Sequence, residues 1–561
     1  MKKSLSLVFF VLFSFFSFGQ NRGNTYIIKF RDKGVSKFSL AEPRMYLSER
    51  SIERRLIQEI PLDETDLPVN PEYIRQVRDL GADVFYTSKW LNLVIVRIEN
   101  QDIASFIVSL PFVHDVTHSK VLEEKKNNPL LKRFFMQEKY QKLAPPKLKS
   151  SRFGIVGFDY GPSGNQAQML KVDQLHNQGY TGNGMVIAVM DAGFNSADQL
   201  DVFDTLFLNN KIMGTRDFVQ PGNNVYSTNL SPHGTMVLST MGGNLPGQLV
   251  GTAPHASYYL FRTEDATAEY LMEEFYWVAA AEYADSLGVD VFNTSLGYTR
   301  FDNTSENHTY EDMDGNTTPI TIGADIAASK GILVVNSAGN EGTTDWHYIS
   351  APADGDSVMA VGAVDADGAY VNFSSVGPTS DGRIKPDVMA QGYYAVVASI
   401  PSGIGTASGT SFSSPILCGA ATCLWQANPD FTNMEIMQAI KQSGSMASDP
   451  DNFYGGGVPD FILANSILLG NIELMNYSPD IKCYPNPFTD FVVAEFNLSS
   501  PDNTELILIN SQGIVLRKIA GKDLHSGENR IKFEGLGLLS KGIYFVQISN
   551  ASGKITQKII K

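Results

Sequence analysis

The chain has 561 residues, a formal net charge of −16, 43% hydrophobic residues and 19% charged residues. That length calls for several units with separate cores, and the ordinary apolar fraction excludes wholesale disorder. The acidic balance excludes nucleic acid as the main partner, because phosphate binding needs a basic footprint.

In chain order, Met1-Lys2-Lys3 leads into an apolar run over 5–16, and Ser17-Phe18-Gly19 then offers a cut before Gln20. This layout predicts a cleaved signal peptide over 1–19. The run is short of the about 20 apolar residues that a bilayer span needs. With no second such run, no transmembrane span is expected in the mature form.

Alternating or β-branched segments predict strands over 25–30, 83–86, 91–98 and 112–117, with helices over 71–80 and 102–109. This is a small α+β unit with an antiparallel sheet, placed at 20–120. Residues 121–152 form a linker or processing region. There Lys125, Lys126, Lys132, Lys139, Lys142, Lys147 and Lys149 crowd around Pro145-Pro146, a solvated stretch open to cutting. A surface helix over 134–140 is the alternative for part of it.

From 153 to 470, apolar β-branched segments at 185–190, 289–293, 332–336 and 358–364 alternate with helical stretches such as 268–287. That pattern predicts an α/β unit whose parallel sheet is covered on both faces. From 478 to 561 the reading is all-β. Short strands at 491–496, 505–510, 514–519, 529–533, 542–548 and 555–560 predict a small sandwich.

Four segments of the middle unit carry chemistry. Asp191 ends the apolar run Val186-Ile187-Ala188-Val189-Met190, at the strand edge where open parallel sheets gather ligand and catalytic groups. By itself it serves equally as a turn residue. His233 opens an apolar helix, and Gly234 behind it permits close backbone approach. Asn340 lies in the Gly-flanked turn Ala338-Gly339-Asn340-Glu341-Gly342 after a strand, as an oxyanion donor or a plain turn amide. Ser411, in Gly409-Thr410-Ser411-Phe412-Ser413-Ser414-Pro415, precedes a helix read over 413–426, with Pro415 in its first turn. A hydroxyl there is a nucleophile beside the positive helix end, or an ordinary N-cap.

Taken in order, Asp191, His233, Asn340 and Ser411 resemble the motifs of the subtilisin family of serine proteases. Gly251-Thr252-Ala253-Pro254 and Asn293-Thr294-Ser295-Leu296-Gly297 add to the match. Phe412 and the loop over 298–319 depart from it. The resemblance implies a subtilisin-like fold and a serine endopeptidase acting on protein or peptide substrates. Ser411 would be the nucleophile, His233 the base and Asp191 its orienting partner, with Asn340 in the oxyanion hole. Ser295, Leu296 and Gly297 would pair with extended substrate, and Glu341 near that pocket would favour basic or neutral side chains. The alternative, a subtilisin-fold binding or adhesion protein that has lost activity, gains no support from the sequence, since all four chemical residues are present.

Catalysis of this kind requires no cofactor. The family often holds structural calcium, but Asp312-Met313-Asp314-Gly315-Asn316 lacks the distal glutamate of a calcium loop and reads as a polar turn. No metal ligand is assigned. The three cysteines, Cys418, Cys423 and Cys483, suggest neither a disulfide framework nor a zinc site.

The N-terminal unit resembles the inhibitory prodomain of subtilisin-like enzymes through Tyr26-Ile27-Ile28-Lys29-Phe30, Leu93-Val94-Ile95-Val96-Arg97 and Pro111-Phe112-Val113. The last unit resembles the C-terminal sorting domain of the type IX secretion route of Bacteroidetes. Tyr484-Pro485-Asn486-Pro487-Phe488 and Lys541-Gly542-Ile543-Tyr544-Phe545 carry that likeness. Together these resemblances imply a precursor whose own prodomain and whose secretion machinery are partners. The product is secreted or attached to the cell surface after passing the periplasm.

Overall fold

The computed structural model describes residues 24–119, 139–142, 157–470, 482–498, 504–510, 514–520, 524–525, 527–550 and 553–561. The signal peptide expected at 1–19, and the linker outside 139–142 up to residue 152, lie outside the described residues.

In the N-terminal unit, β1 (Asn24–Phe30), β2 (Asp83–Ser88), β3 (Leu93–Ile98) and β4 (Val113–Ser119) form an antiparallel sheet in the order β2-β3-β1-β4. Period-two alternation divides their side chains between two faces. Tyr26, Ile28, Val94 and Val96 pack with Val77 of α2 (Pro71–Asp79) and Ile107 of α3 (Asp102–Val108). Ile27, Leu93 and Ile95 face the other way, onto Met272 and Phe275 of the middle unit. An earlier helix, α1 (Glu49–Ile57), begins with Ser48 accepting the Ser51 N–H. No element was expected there from the sequence.

Residues 139–142 form a strand, β5 (Lys139–Lys142), rather than the end of a surface helix.

The middle unit is built on seven parallel strands in the order β12-β11-β10-β9-β6-β8-β7. These are β6 (Val186–Asp191), β7 (Ile212–Asp217), β8 (Ser257–Arg262), β9 (Val291–Thr294), β10 (Leu333–Ser337), β11 (Val358–Val364) and β12 (Val388–Gln391). Every residue of β6 and β11 is buried, as strands covered on both faces require. One face packs Ile187 and Val189 on α4 (His233–Gly242) and α7 (Thr410–Ala427). The opposite face packs Ala188 and Met190 on α5 (Met272–Leu287) and α6 (Pro319–Ser329). Through most of its length α7 is buried all round, as befits a helix in the middle of a core. The chain leaves β6 toward β7 and β8 on one side and returns at β9 on the other. β6 is therefore a topological switch point, and a crevice opens at its C-terminal end. A hairpin of β13 (Ala395–Ala398) and β14 (Ile404–Ser408) leads into α7, and β5 adds to it in the order β13-β14-β5.

The C-terminal unit has two antiparallel sheets. β15 (Lys482–Tyr484), β16 (Val492–Leu498) and β19 (Gly527–Phe533) form one in the order β15-β16-β19. β17 (Glu505–Asn510), β18 (Val515–Ala520), β20 (Ile543–Asn550) and β21 (Gly553–Ile560) form the other in the order β18-β17-β20-β21. Val492, Ala494, Leu506, Leu508, Val546 and Ile548 share one core, which is the expected sandwich.

Candidate active site

Asp191 is the last residue of β6 and stands fully buried at the switch point. Its Oδ1 accepts the Ala192 N–H at 2.7 Å. His233, the first residue of α4, is also buried, and its Nδ1 lies 2.8 Å from Asp191 Oδ1 and 3.0 Å from Oδ2. An ionised carboxylate can only accept, so Nδ1 carries the ring proton and Nε2 is left with its lone pair. Gly234 is what lets these two residues meet. A Cβ at that position would lie 2.4 Å from Gly193 O and 3.0 Å from Asp191 Cβ.

Ser411 lies in the first turn of α7, which begins at Thr410 rather than at 413 as the sequence had suggested. Pro415 therefore falls in the second turn, not the first. It has no N–H to offer the Ser411 carbonyl four residues back. That carbonyl accepts the Ser295 Oγ–H instead, at 2.9 Å. In return the Ser411 hydroxyl points to Ser295 O at 3.5 Å. Phe412 packs beside the imidazole, its ring centroid 5.9 Å from that of His233.

Asn340 follows β10 in a buried turn. Its Oδ1 accepts both the Thr410 N–H at 2.8 Å and the Thr410 hydroxyl at 2.9 Å. Those two bonds fix the amide's orientation. Nδ2 then faces the other way, buried and without a hydrogen-bond partner among the described residues. A buried unpaired donor costs about 1–3 kcal/mol, so it calls for an explanation. Sequence reading missed Thr410 as the residue that orients this amide. Its position directly before the serine was the available signal.

Ser295 and Leu296 are buried just past β9, and Gly297 is half-buried. Leu296 O accepts from Asn336 Nδ2 at 3.2 Å. The structure thus brings Asp191 to His233, Ser295 to Ser411, and Asn340 to the residue preceding Ser411. Glu341 is buried, and its carboxylate accepts the Thr344 hydroxyl at 2.5 Å.

The acidic residues of 312–316 cap turns. Asp314 Oδ1 accepts from Asn316 N at 2.8 Å and Oδ2 from Thr317 Oγ1 at 2.9 Å, while Asp312 Oδ2 takes the Thr309 N–H at 2.7 Å. Among the described residues, Glu264, Glu269 and Glu273 also bring carboxylate oxygens within 4.8 Å of one another. Glu273 accepts the N–H groups of Asp265 and Tyr270, and Glu264 accepts the Tyr298 hydroxyl.

A family model described as the subtilase family matches residues 182–457. Subtilisin NAT of Bacillus subtilis subsp. natto is 31% identical over 293 residues, covering 52% of this chain and 68% of the relative. The chain belongs to the subtilase family. Subtilisin E of Bacillus subtilis (strain 168) matches to the same extent, and serine protease AprX of that strain is 30% identical over 314 residues, 50% of this chain and 66% of the relative. A model for the peptidase S8 propeptide domain of Bacteroidota matches residues 25–132, and one for the secretion system C-terminal sorting domain matches 482–561. This subtilase is a serine endopeptidase made with a prodomain and exported, to the medium or the cell surface. No described helix of the subtilase is long and apolar enough to cross a membrane.

Proposed function

We propose that this subtilase cleaves peptide bonds through Ser411, His233 and Asp191, with Asn340 as a donor to the oxyanion. Ser411 Oγ attacks the scissile carbonyl, and His233 Nε2 takes its proton and returns it to the leaving amine. Asp191 holds the imidazole in the required tautomer and stabilises the imidazolium. Asn340 Nδ2 and the Ser411 backbone N–H receive the developing negative charge. The observation that carries this reading is the Nδ2 of Asn340, aimed by Thr410 and without a partner among the described residues. Such a donor is satisfied only as charge develops, which lowers the barrier without tightening substrate binding.

The 295–297 segment supports a role in pairing with extended substrate, since Ser295 ties it to the nucleophile's own carbonyl. The proposed organisation is a signal peptide at 1–19, a prodomain at 20–120, a processing region at 121–152, a catalytic unit at 153–470 and a sorting unit at 478–561. The sorting unit would engage the type IX machinery. Structural calcium is common in the family, and no ligands for it are assigned in this chain.

Ser411→Ala should abolish labelling by a fluorophosphonate and leave the N-terminal unit uncut in a host free of other proteases. Asn340→Ala should keep the labelling site while lowering kcat by about 10²–10³ with little change in KM. Unchanged turnover in Asn340→Ala would overturn the oxyanion assignment.

A further inference from the structure

A segment from outside the catalytic sheet lies beside the nucleophile. β5 runs antiparallel to β14, with Lys139 opposite Ser408 and Lys142 opposite Gly405. Ser408 stands three residues before Ser411, so β5 starts next to Ser411 and runs away from it. β13 occupies the other edge of β14. Without β5, the remaining edge would present unpaired backbone groups that invite an added strand.

The fit is most specific at Tyr140. Its ring lies over Gly405, where a Cβ would sit 2.6 Å from a ring carbon and 2.7 Å from the hydroxyl oxygen. Any side chain at 405 would compete for the place the ring takes. The Tyr140 hydroxyl donates to Ser399 Oγ at 2.5 Å, and Thr406 Oγ1 reaches the Gln141 carbonyl at 3.5 Å. Tyr140 is 46% exposed, so its ring rests in an open groove and not in the core. A tyrosine suits such a place, with one apolar face covered and its hydroxyl bound at the rim.

We propose that Gly405 and Ser399, on the edge of β14, form a subsite for a tyrosine side chain on the leaving-group side of the substrate cleft. In the precursor, residues 139–142 fill this edge as the chain's own substrate-like strand. In the mature enzyme, the segment of a substrate that follows the cut bond takes their place. A substrate strand running away from Ser411 along β14 has the direction of β5, and its backbone meets the same groups. The inference rests on the assignment of Ser411 as nucleophile.

Quenched-fluorescence peptides test it on the mature enzyme. The side before the cut is held constant, and tyrosine is walked through successive positions after it. One leaving-group position should favour tyrosine over alanine by about tenfold in kcat/KM. At that position tyrosine should exceed phenylalanine by about threefold, the contribution of one partly exposed hydrogen bond. Gly405→Val should flatten the preference, and Ser399→Ala should remove only the tyrosine-over-phenylalanine difference. Fluorophosphonate labelling of the same preparations reports on Ser411 separately. A flat wild-type profile with intact labelling overturns the subsite, whereas absent labelling overturns the nucleophile assignment. If Gly405→Val does not fold, the wild-type profile and Ser399→Ala decide the question.

Discussion

Ser411 owes its setting to a proline four residues later. Because Pro415 cannot donate, the Ser411 carbonyl is released from the helix ladder and taken by Ser295. That exchange fastens the start of α7 to the strand end past β9. Asp191, His233, Asn340 and Ser411 were legible in the sequence as candidates because each sits in a short local motif. The Ser411–Ser295 and Thr410–Asn340 links were not, because they join segments 70 and more residues apart and exist only once the sheet has formed. A different residue-scale feature gives a pH effect. The half-buried His308 imidazole packs against the buried Glu274, with Nε2 and Oε1 2.5 Å apart, and Glu274 Oε2 accepts the Ile320 N–H at 3.2 Å. Burial alone would lower the imidazole's pKa, but Glu274, helped by Asp312 and Asp354, outweighs it and the net shift is upward. A histidine that holds its proton more tightly when folded contributes fully below its ordinary value of about 6.5, and the contribution fades as pH rises through the raised value. Melting of the Ser411→Ala protein should therefore lose a stabilising contribution as pH rises above about 6.5, a loss that the additional change His308→Gln removes. Parallel Tm curves for the two would show that the pair contributes nothing.

At the scale of elements, α1 joins the two N-terminal units by charge. Asp285 lies in the last turn of α5, at the negative end of the helix dipole, where cations are favoured. Arg54 reaches Asp285 at 2.6 Å, Arg55 at 2.9 Å and Lys89 at 2.9 Å. Arg55 also pairs with Asp66 at 2.7 Å, and Lys330 pairs with Asp66 and Asp63 at 3.2 and 2.9 Å. Burial would raise the pKa of Asp285, yet Lys89, Arg55 and Arg54 outweigh it and hold its carboxyl well below the usual range. Removing a buried partner leaves the others uncompensated, at a cost of about 3–5 kcal/mol. After the linker is cut, the N-terminal fragment of Asp285→Ala should separate from the catalytic part on gel filtration under conditions where the wild-type pair co-elutes. Equal retention would mean that the ionic contacts add nothing to docking. This explains why α1 escaped sequence reading. Arg54 and Arg55 are buried, and only carboxylates such as Asp285 far along the chain make that burial tolerable. β7 was missed for a simpler reason: it is an edge strand whose residues are mostly not buried, so it lacks the apolar run that marked β6 and β11.

For the molecule as a whole, the matched units follow one another along the chain. The prodomain precedes the protease, and the sorting sandwich follows it. Deleting the chain from residue 478 onward should leave the protein in the periplasm, detectable by fractionation. Release of the shortened protein to the medium at the wild-type level would remove the sandwich from the export pathway. The overall α/β and all-β classes were readable from strand spacing, whereas the docking of the N-terminal sheet on α5 was not, because Ile27, Leu93 and Ile95 find their partners Met272 and Phe275 far along the chain. The ionic contacts of α1 have a further consequence. Arg54 binds groups 231 and 276 positions away in the same chain. While the connection is intact, tethering keeps the two parts at an effective concentration on the order of mM. Cutting it leaves every bond in place but turns the pair into an ordinary two-component equilibrium, whose occupancy falls on dilution. The proteolytic cut and the escape from a confined compartment are then separate steps of activation, and the second is governed by volume rather than by chemistry.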